Sequence, residues 1–267
     1  MSNIAIAGMG WLGKPLAVAL QQKGHNIKGS STNKEKLKML NEAGLPSFYF
    51  LLTEDGLSGE ITGFLSAIDI LIVLIPPGLR HNSGHNHALK MLHFVNEIER
   101  AGIKRVILVS STGVYDDAQG HVTEVDLPEP TLNNGKQLLE TELMFSNSEA
   151  FKATIVRFGG LFGGSRNPVK YLAGRTGLSN GEAPVNLIHR IDCIAIINEI
   201  IKQDAFGHIF NAVAPEHPRK SDYYHQKAVE MGIKPPDYST DNEEEIYKRV
   251  DSVNLKEILN YEFKVKI

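Results

Sequence analysis

The chain has 267 residues, with 28 basic side chains against 31 acidic ones and a single cysteine, Cys193. That length allows a large α/β domain with a substantial core, and the near-balanced charge, with no basic run, excludes a surface built for nucleic acid or acidic membranes. One cysteine excludes a disulfide scaffold and a cysteine-rich zinc site, and it suits a reducing compartment. Met1-Ser2-Asn3 leads directly into a strand, so no secretory segment is expected. The strongly apolar run from Ile70 to Ile75 ends at Pro76-Pro77 and is far too short to span a bilayer. The expectation is a cytoplasmic protein, monomer or homodimer, whose partner is a small molecule rather than a membrane or a nucleic acid.

In chain order, Ile4 and Ile6 with their neighbouring alanines predict a buried strand. Gly8, Gly10 and Gly13 follow at the spacing Gly-x-Gly-x-x-Gly, with Trp11 and Leu12 inside the turn and an apolar helical run from Leu16 to Leu20 behind it. Each glycine has its own task in a dinucleotide site. Gly8 permits the sharp turn, Gly10 leaves no Cβ where a diphosphate approaches the backbone, and Gly13 lets helix and strand pack closely. The helix start then offers unpaired N–H groups to the phosphates.

A second strand runs from His25 to Gly29 and closes at Ser30, Ser31, Thr32, Asn33 and Lys34. No acidic residue occurs between Gly8 and Lys34, where a protein selecting NAD places a carboxylate on the ribose. Hydroxyls, an amide and the nearby Lys34 and Lys36 suit a 2′-phosphate instead. NADP is therefore the expected cofactor, with NAD as the alternative. The competing reading is that Ser31 or Thr32 caps a helix over 33–43 and the lysines face water.

Pro46 to Leu52 reads as a third strand and Asp69 to Ile75 as a fourth, the latter apolar on both faces as in a covered parallel sheet. It stops at Pro76 and Pro77, the carboxyl edge where open α/β sheets bind ligands. His81, His85 and His87 fall in a polar loop without a completing carboxylate, so no metal site is expected. A helix over 88–101 carries Leu89, Leu92, Val95 and Ile98 as its core stripe. Lys104 to Val109 is the fifth strand, running into Ser110-Ser111-Thr112-Gly113-Val114-Tyr115.

That strand end, followed by Glu124-Val125-Asp126-Leu127-Pro128-Glu129-Pro130, resembles the extended short-chain dehydrogenase/reductase superfamily of the NAD(P)-dependent epimerase/dehydratase type. Lys136 with Glu140, Arg157 to Gly163, Asn186 to Asp192 and Phe206 to Asn211 extend the resemblance over almost the whole chain. It implies a Rossmann-type, doubly wound parallel sheet of about seven strands in the order 3-2-1-4-5-6-7. The cofactor domain would span 1–158 and 187–213, and a small discontinuous substrate lobe 159–186 and 214–267.

The resemblance also implies a trio of serine, tyrosine and lysine. Ser111 takes the serine place, where a hydroxyl bonds a substrate oxygen, and Lys136 takes the lysine place, where an ammonium grips the nicotinamide ribose. The tyrosine is due four residues before that lysine, and Leu132 stands there. Leucine exchanges no proton, so the chain resembles an atypical member of the superfamily. Tyr115 is the candidate replacement, against the reading that its ring anchors the loop.

His121 and His189 have suitable chemistry but no predicted place near substrate. Arg166, Lys170 and Arg175 are available to an anionic substrate in the lobe, whereas Arg249 is expected at the surface. Helices are expected over 188–202, with an isoleucine-rich core face, and over 219–232, followed by an acidic stretch over 241–248. Leu255 to Leu259 and the segment from Tyr261 are expected to close the small lobe. The sequence thus supports an NADP-dependent oxidoreductase or epimerase, with a non-catalytic NADP(H)-binding redox sensor or regulator as the alternative.

Overall fold

The computed structural model describes residues 1–78, 86–239 and 246–267. Its centre is a seven-stranded parallel sheet built from β1 (Asn3–Ala7), β2 (Asn26–Ser30), β3 (Ser47–Phe48), β4 (Ile70–Val73), β5 (Arg105–Ser111), β6 (Lys152–Phe158) and β7 (Ile209–Ala212). The order across the sheet is 3-2-1-4-5-6-7, as the sequence resemblance implies. In register, Ile4 lies beside Ile27 on one side and Ile70 on the other.

Side chains of a strand alternate between faces, and here both faces are covered. Ile4, Ile6, Ile70, Ile72 and Ile107 enter one core with Leu16 and Leu20 of α1 (Gly13–Gln22) and with Ile196, Ile197 and Ile200. Ala5, Ala7, Leu71, Val73, Val106 and Leu108 enter the other, against Phe64, Phe94 and Phe145. The remaining helices are α2 (Lys34–Glu42), α3 (Ile61–Leu65), α4 (His87–Arg100), α5 (Asn133–Ser146), α6 (Pro168–Leu172), α7 (Arg190–Lys202), α8 (Lys220–Glu230) and α9 (Asn254–Glu257).

Several expectations need correction. The third strand contributes only Ser47 and Phe48 to the sheet, because Phe50–Thr53 folds back on Gly56–Gly59 as an antiparallel hairpin. Glu54-Asp55 forms the turn, and Gly56, paired with Thr53, sits at φ +139°, a conformation only glycine adopts readily. Helix α2 is capped by Asn33, whose Oδ1 accepts the Lys36 amide at 2.8 Å, not by Ser31 or Thr32. The buried stripe of α4 is Met91, Phe94, Val95 and Ile98, while Leu92 is exposed. His87, expected in a loop, begins α4 and is buried, and that burial pushes its imidazole down to about 4. His81 and His85 lie outside the described residues, as do positions 241–245 of the acidic stretch.

Helix α7 starts at Arg190, because Leu187–His189 forms a short strand parallel to Gly160–Phe162. Val169, Val185, Leu187, Tyr223, Tyr224 and Ala228 make a separate apolar cluster beside the sheet. Of the tail, only Ile267 packs against that cluster among the described residues. Leu255 and Leu259 are buried in the main core with Phe210 and Ile200, and Tyr261 donates its hydroxyl to Asp192 at 2.7 Å.

Candidate cofactor and substrate site

The chain winds from β1 outward to β3, then crosses back to β4 on the other side of β1, so a crevice opens where the carboxyl ends of β1 and β4 diverge. The glycine turn fills the β1 side of that crevice. Gly8 has φ +111°, and a Cβ there would stand 2.9 Å from the Leu74 carbonyl oxygen at the end of β4. A Cβ on Gly13 would fall 2.1 Å from the Gly8 carbonyl oxygen, so α1 can start this close only on glycine. Gly10 differs from both, since a Cβ there would meet nothing within 4 Å. Its bareness serves neither turn nor packing, which leaves room for something outside the chain.

Three amides stand in the same turn. The N–H groups of Trp11, Leu12 and Gly13 have no backbone partner among the described residues, whereas Gly8 donates to Ser30 Oγ at 3.1 Å and Met9 to the Ser30 carbonyl at 2.8 Å. Unpaired donors at the start of a helix suit a diphosphate. The residues present therefore fit a dinucleotide. Ser30 is buried, and its hydroxyl oxygen braces the glycine turn. Ser31 is half-buried with its Oγ accepting from the Asn33 amide, and Thr32 and Lys34 are exposed. The Lys34 ammonium sits 5.8 Å from the ring centre of Tyr49, a half-buried neighbour that the sequence did not mark. Pro76 and Pro77 follow β4 at the same sheet edge.

Ser111 ends β5. Its Oγ accepts the Gly113 amide at 3.1 Å, which fixes the hydroxyl while leaving its own proton to donate. Gly135 brings α5 against this loop, since a Cβ there would lie 2.7 Å from both the Gly113 carbonyl oxygen and Pro130 Cβ. Lys136, exposed in the first turn of α5, is thereby carried to the same edge as Ser111. Leu132 is the residue flanking the start of α5 and is 75% exposed, so no ring from this position enters the core.

Tyr115 lies in the core, away from solvent. Its hydroxyl donates to the Thr123 carbonyl at 2.8 Å and accepts from Arg157 Nη1 at 2.6 Å. Burial holds its phenol above the usual range despite that guanidinium. Arg157 is in turn held by the buried Glu142 carboxylate at 2.6 Å, so ring and guanidinium form one core network. The structure thus supports the anchoring reading of Tyr115 over the catalytic one.

His121 is bound to Asp251 at 2.6 Å on the paired strands His121–Val122 and Arg249–Val250, and Arg249 also binds Asp251. His189 caps α7, its Nδ1 accepting the Ile191 amide at 3.2 Å, and burial lowers its pKa. Lys170 and Arg175 are exposed. Among the described residues no group of three or more His, Cys, Asp or Glu is placed to hold a metal ion, and no helix is long and apolar enough to cross a membrane.

Residues 8–204 match the family model described as NAD(P)H-binding. The chain belongs to the NAD(P)H-binding family. Within reach of that family lies Protein YeeZ of Escherichia coli K12, 33% identical over 267 residues, covering 98% of this chain and 96% of YeeZ. The fold of this NAD(P)H-binding chain is also that of UDP-N-acetylglucosamine 4-epimerase from Bacillus cereus, with a TM-score of 0.79, 16% identity and coverage of 99% and 95%. UDP-glucuronic acid 4-epimerase from Bacillus cereus, in complex with UDP-glucuronic acid and NAD, gives a TM-score of 0.76 at 17% identity, with coverage of 99% and 95%. The epimerase/dehydratase fold implied by Ser110 to Tyr115 is therefore the one observed.

Proposed function

We propose that this NAD(P)H-binding protein is an NADP-dependent oxidoreductase or epimerase acting in the cytoplasm on a small carbonyl or sugar-nucleotide substrate. The observation that carries the reading is Gly10, a glycine whose missing side chain is needed by none of the described residues. Bound in the crevice, the nicotinamide cofactor would supply hydride exchange with a carbon of the substrate. Trp11, Leu12 and Gly13 would hold the diphosphate through their amides, and Lys136 the nicotinamide ribose. The absence of any carboxylate from Ser30 to Lys34 supports NADP over NAD, because a carboxylate there would repel a 2′-phosphate.

Ser111 would donate a hydrogen bond from its O–H to the substrate oxygen and stabilise charge developing there. The proton itself would come from water, since Leu132 cannot supply it and the Tyr115 hydroxyl is engaged in the core. Leu132 also favours a second reading, a protein that binds NADP(H) without turnover and reports redox state to a partner.

Hydride exchange with a panel of small carbonyl compounds and sugar nucleotides separates the two. Measurable turnover that falls by about 100-fold in Ser111→Ala, with cofactor affinity unchanged, is the result expected of the enzyme. Tight NADP binding with no turnover by any compound would establish the binder.

A further inference from the structure

Two guanidinium groups converge on the glycine turn from stretches far apart in sequence. Arg166, from the loop after β6, lies 4.8 Å from the Trp11 ring centre, and Arg190, the first residue of α7, lies 5.2 Å from it. Trp11 is itself tied down, its indole N–H donating to the Gly163 carbonyl at 3.2 Å. Gly163 and Gly164 have φ of +104° and +56°, and side chains there would run into His189 and Arg190. A Cβ on Gly163 would lie 2.2 Å from His189 Nε2, and one on Gly164 2.5 Å from Arg190 Nη2. The two glycines thus let Arg190 lie across the loop and reach Trp11.

Neither guanidinium has a carboxylate partner among the described residues. The acid nearest in sequence to Arg190, Asp192, is buried and accepts from the Tyr261 hydroxyl and the Lys264 amide, each at 2.7 Å. Two cations on one indole, in the same turn as three amides without a backbone partner, make a concentration of positive charge with no ion-paired carboxylate among the described residues. An aromatic face offsets only part of the charge of each cation. The matching partner is an anion with two phosphoryl groups, one for each planar fork, which guanidinium binds through paired N–H donors.

We infer that Arg166 and Arg190, seated on the Trp11 ring, form a diphosphate clamp together with the glycine turn. The turn amides hold one side of the bridge, and the guanidiniums hold the other. Given the cofactor reading above, on which this identification rests, the diphosphate is that of the bound dinucleotide. Arg166 and Arg190 are then binding residues shared by NADP and NAD, independent of the 2′-phosphate.

Trp11 is the sole tryptophan, so its fluorescence reports this site directly. The test titrates parent, Arg166→Gln, Arg190→Gln, the double variant and the surface control Lys38→Gln with inorganic pyrophosphate, NADP and NAD at constant ionic strength. Calorimetry on the same samples gives a readout independent of the indole, and thermal melting checks the fold. Parent and Lys38→Gln are expected to bind pyrophosphate, and each arginine variant to bind it about tenfold or more weakly. NADP and NAD should weaken by similar factors, and either dinucleotide should displace pyrophosphate from the parent. Pyrophosphate binding within twofold of the parent in a folded double variant would overturn the clamp, as would a parent that binds none. A dinucleotide that binds without displacing pyrophosphate would overturn the assignment to the cofactor's own bridge. Failure of the cofactor reading looks different, because the arginines would then govern pyrophosphate binding while neither dinucleotide bound at all.

Discussion

Tyr115 and Arg157 show how a side chain with catalytic chemistry becomes structural. The hydroxyl stands between the Thr123 carbonyl and the Arg157 guanidinium, and Glu142 neutralises that guanidinium from the far side. Tyr115→Phe deletes the acceptor and leaves a buried N–H of Arg157 without its partner. The expected cost is about 1–3 kcal/mol of stability, read as a lower denaturation midpoint at unchanged slope. NADP affinity should not change. A variant as stable as the parent but without turnover would place the phenol in the chemistry instead. The sequence could not decide this, because a tyrosine after a strand end looks the same whether its ring faces solvent or the core. Only Asn211, Thr123 and Arg157, between 8 and 96 residues away, close around it.

At the scale of elements, a short pair of strands fastens the C-terminal segment to the loop that follows Tyr115. His121–Val122 lies parallel to Arg249–Val250, and Asp251 joins them by accepting from His121 at 2.6 Å, Arg249 at 2.8 Å and the buried His217 at 3.0 Å. Burial works to raise the Asp251 pKa, but Arg249, His217 and His121 outweigh it and leave the carboxyl below its ordinary value of 3.8. A folded-state pKa below the unfolded one contributes stability that is fully present above the unfolded value and lost as the pH falls through the folded one. Asp251→Asn should therefore melt below the parent at pH 7, and the gap should narrow as the pH is taken below about 3.8. A gap that stays constant across that range would show that the carboxylate charge contributes nothing. Periodicity alone missed this pairing, since two-residue strands carry no alternation to read. The same limit explains the third strand, whose apolar run continued past Phe48 into a hairpin turned at Glu54-Asp55.

For the whole molecule, the glycine turn and the buried strands were legible because each rests on local backbone chemistry, whereas the strand order followed from the family resemblance. Gly8 and Gly13 are required by the chain itself, one for its positive φ and one for contact with the Gly8 carbonyl, and buried strands such as Ile70–Val73 are apolar on both faces. What was not legible depends on chain segments meeting in space. Arg190 was passed over as one residue in an isoleucine-rich helix, although the neighbouring pair Gly163-Gly164 marks the close approach that carries it to Trp11. The tail was assigned by position in sequence to a small lobe, while Leu255 and Leu259 bury themselves beside β7 and α7.

Gly10 offers the most direct test of the central claim, because it has no positive φ and a Cβ there would meet nothing within 4 Å among the described residues. The measurement is calorimetric titration of parent and Gly10→Ala with NADP and with NAD, alongside thermal melting of both proteins. The account predicts that Gly10→Ala folds with the parent's stability, that the parent binds NADP more tightly than NAD, and that the variant binds both at least about tenfold more weakly. An alanine variant that binds either dinucleotide as well as the parent does would contradict it, since the space above Gly10 would then not be where the diphosphate lies.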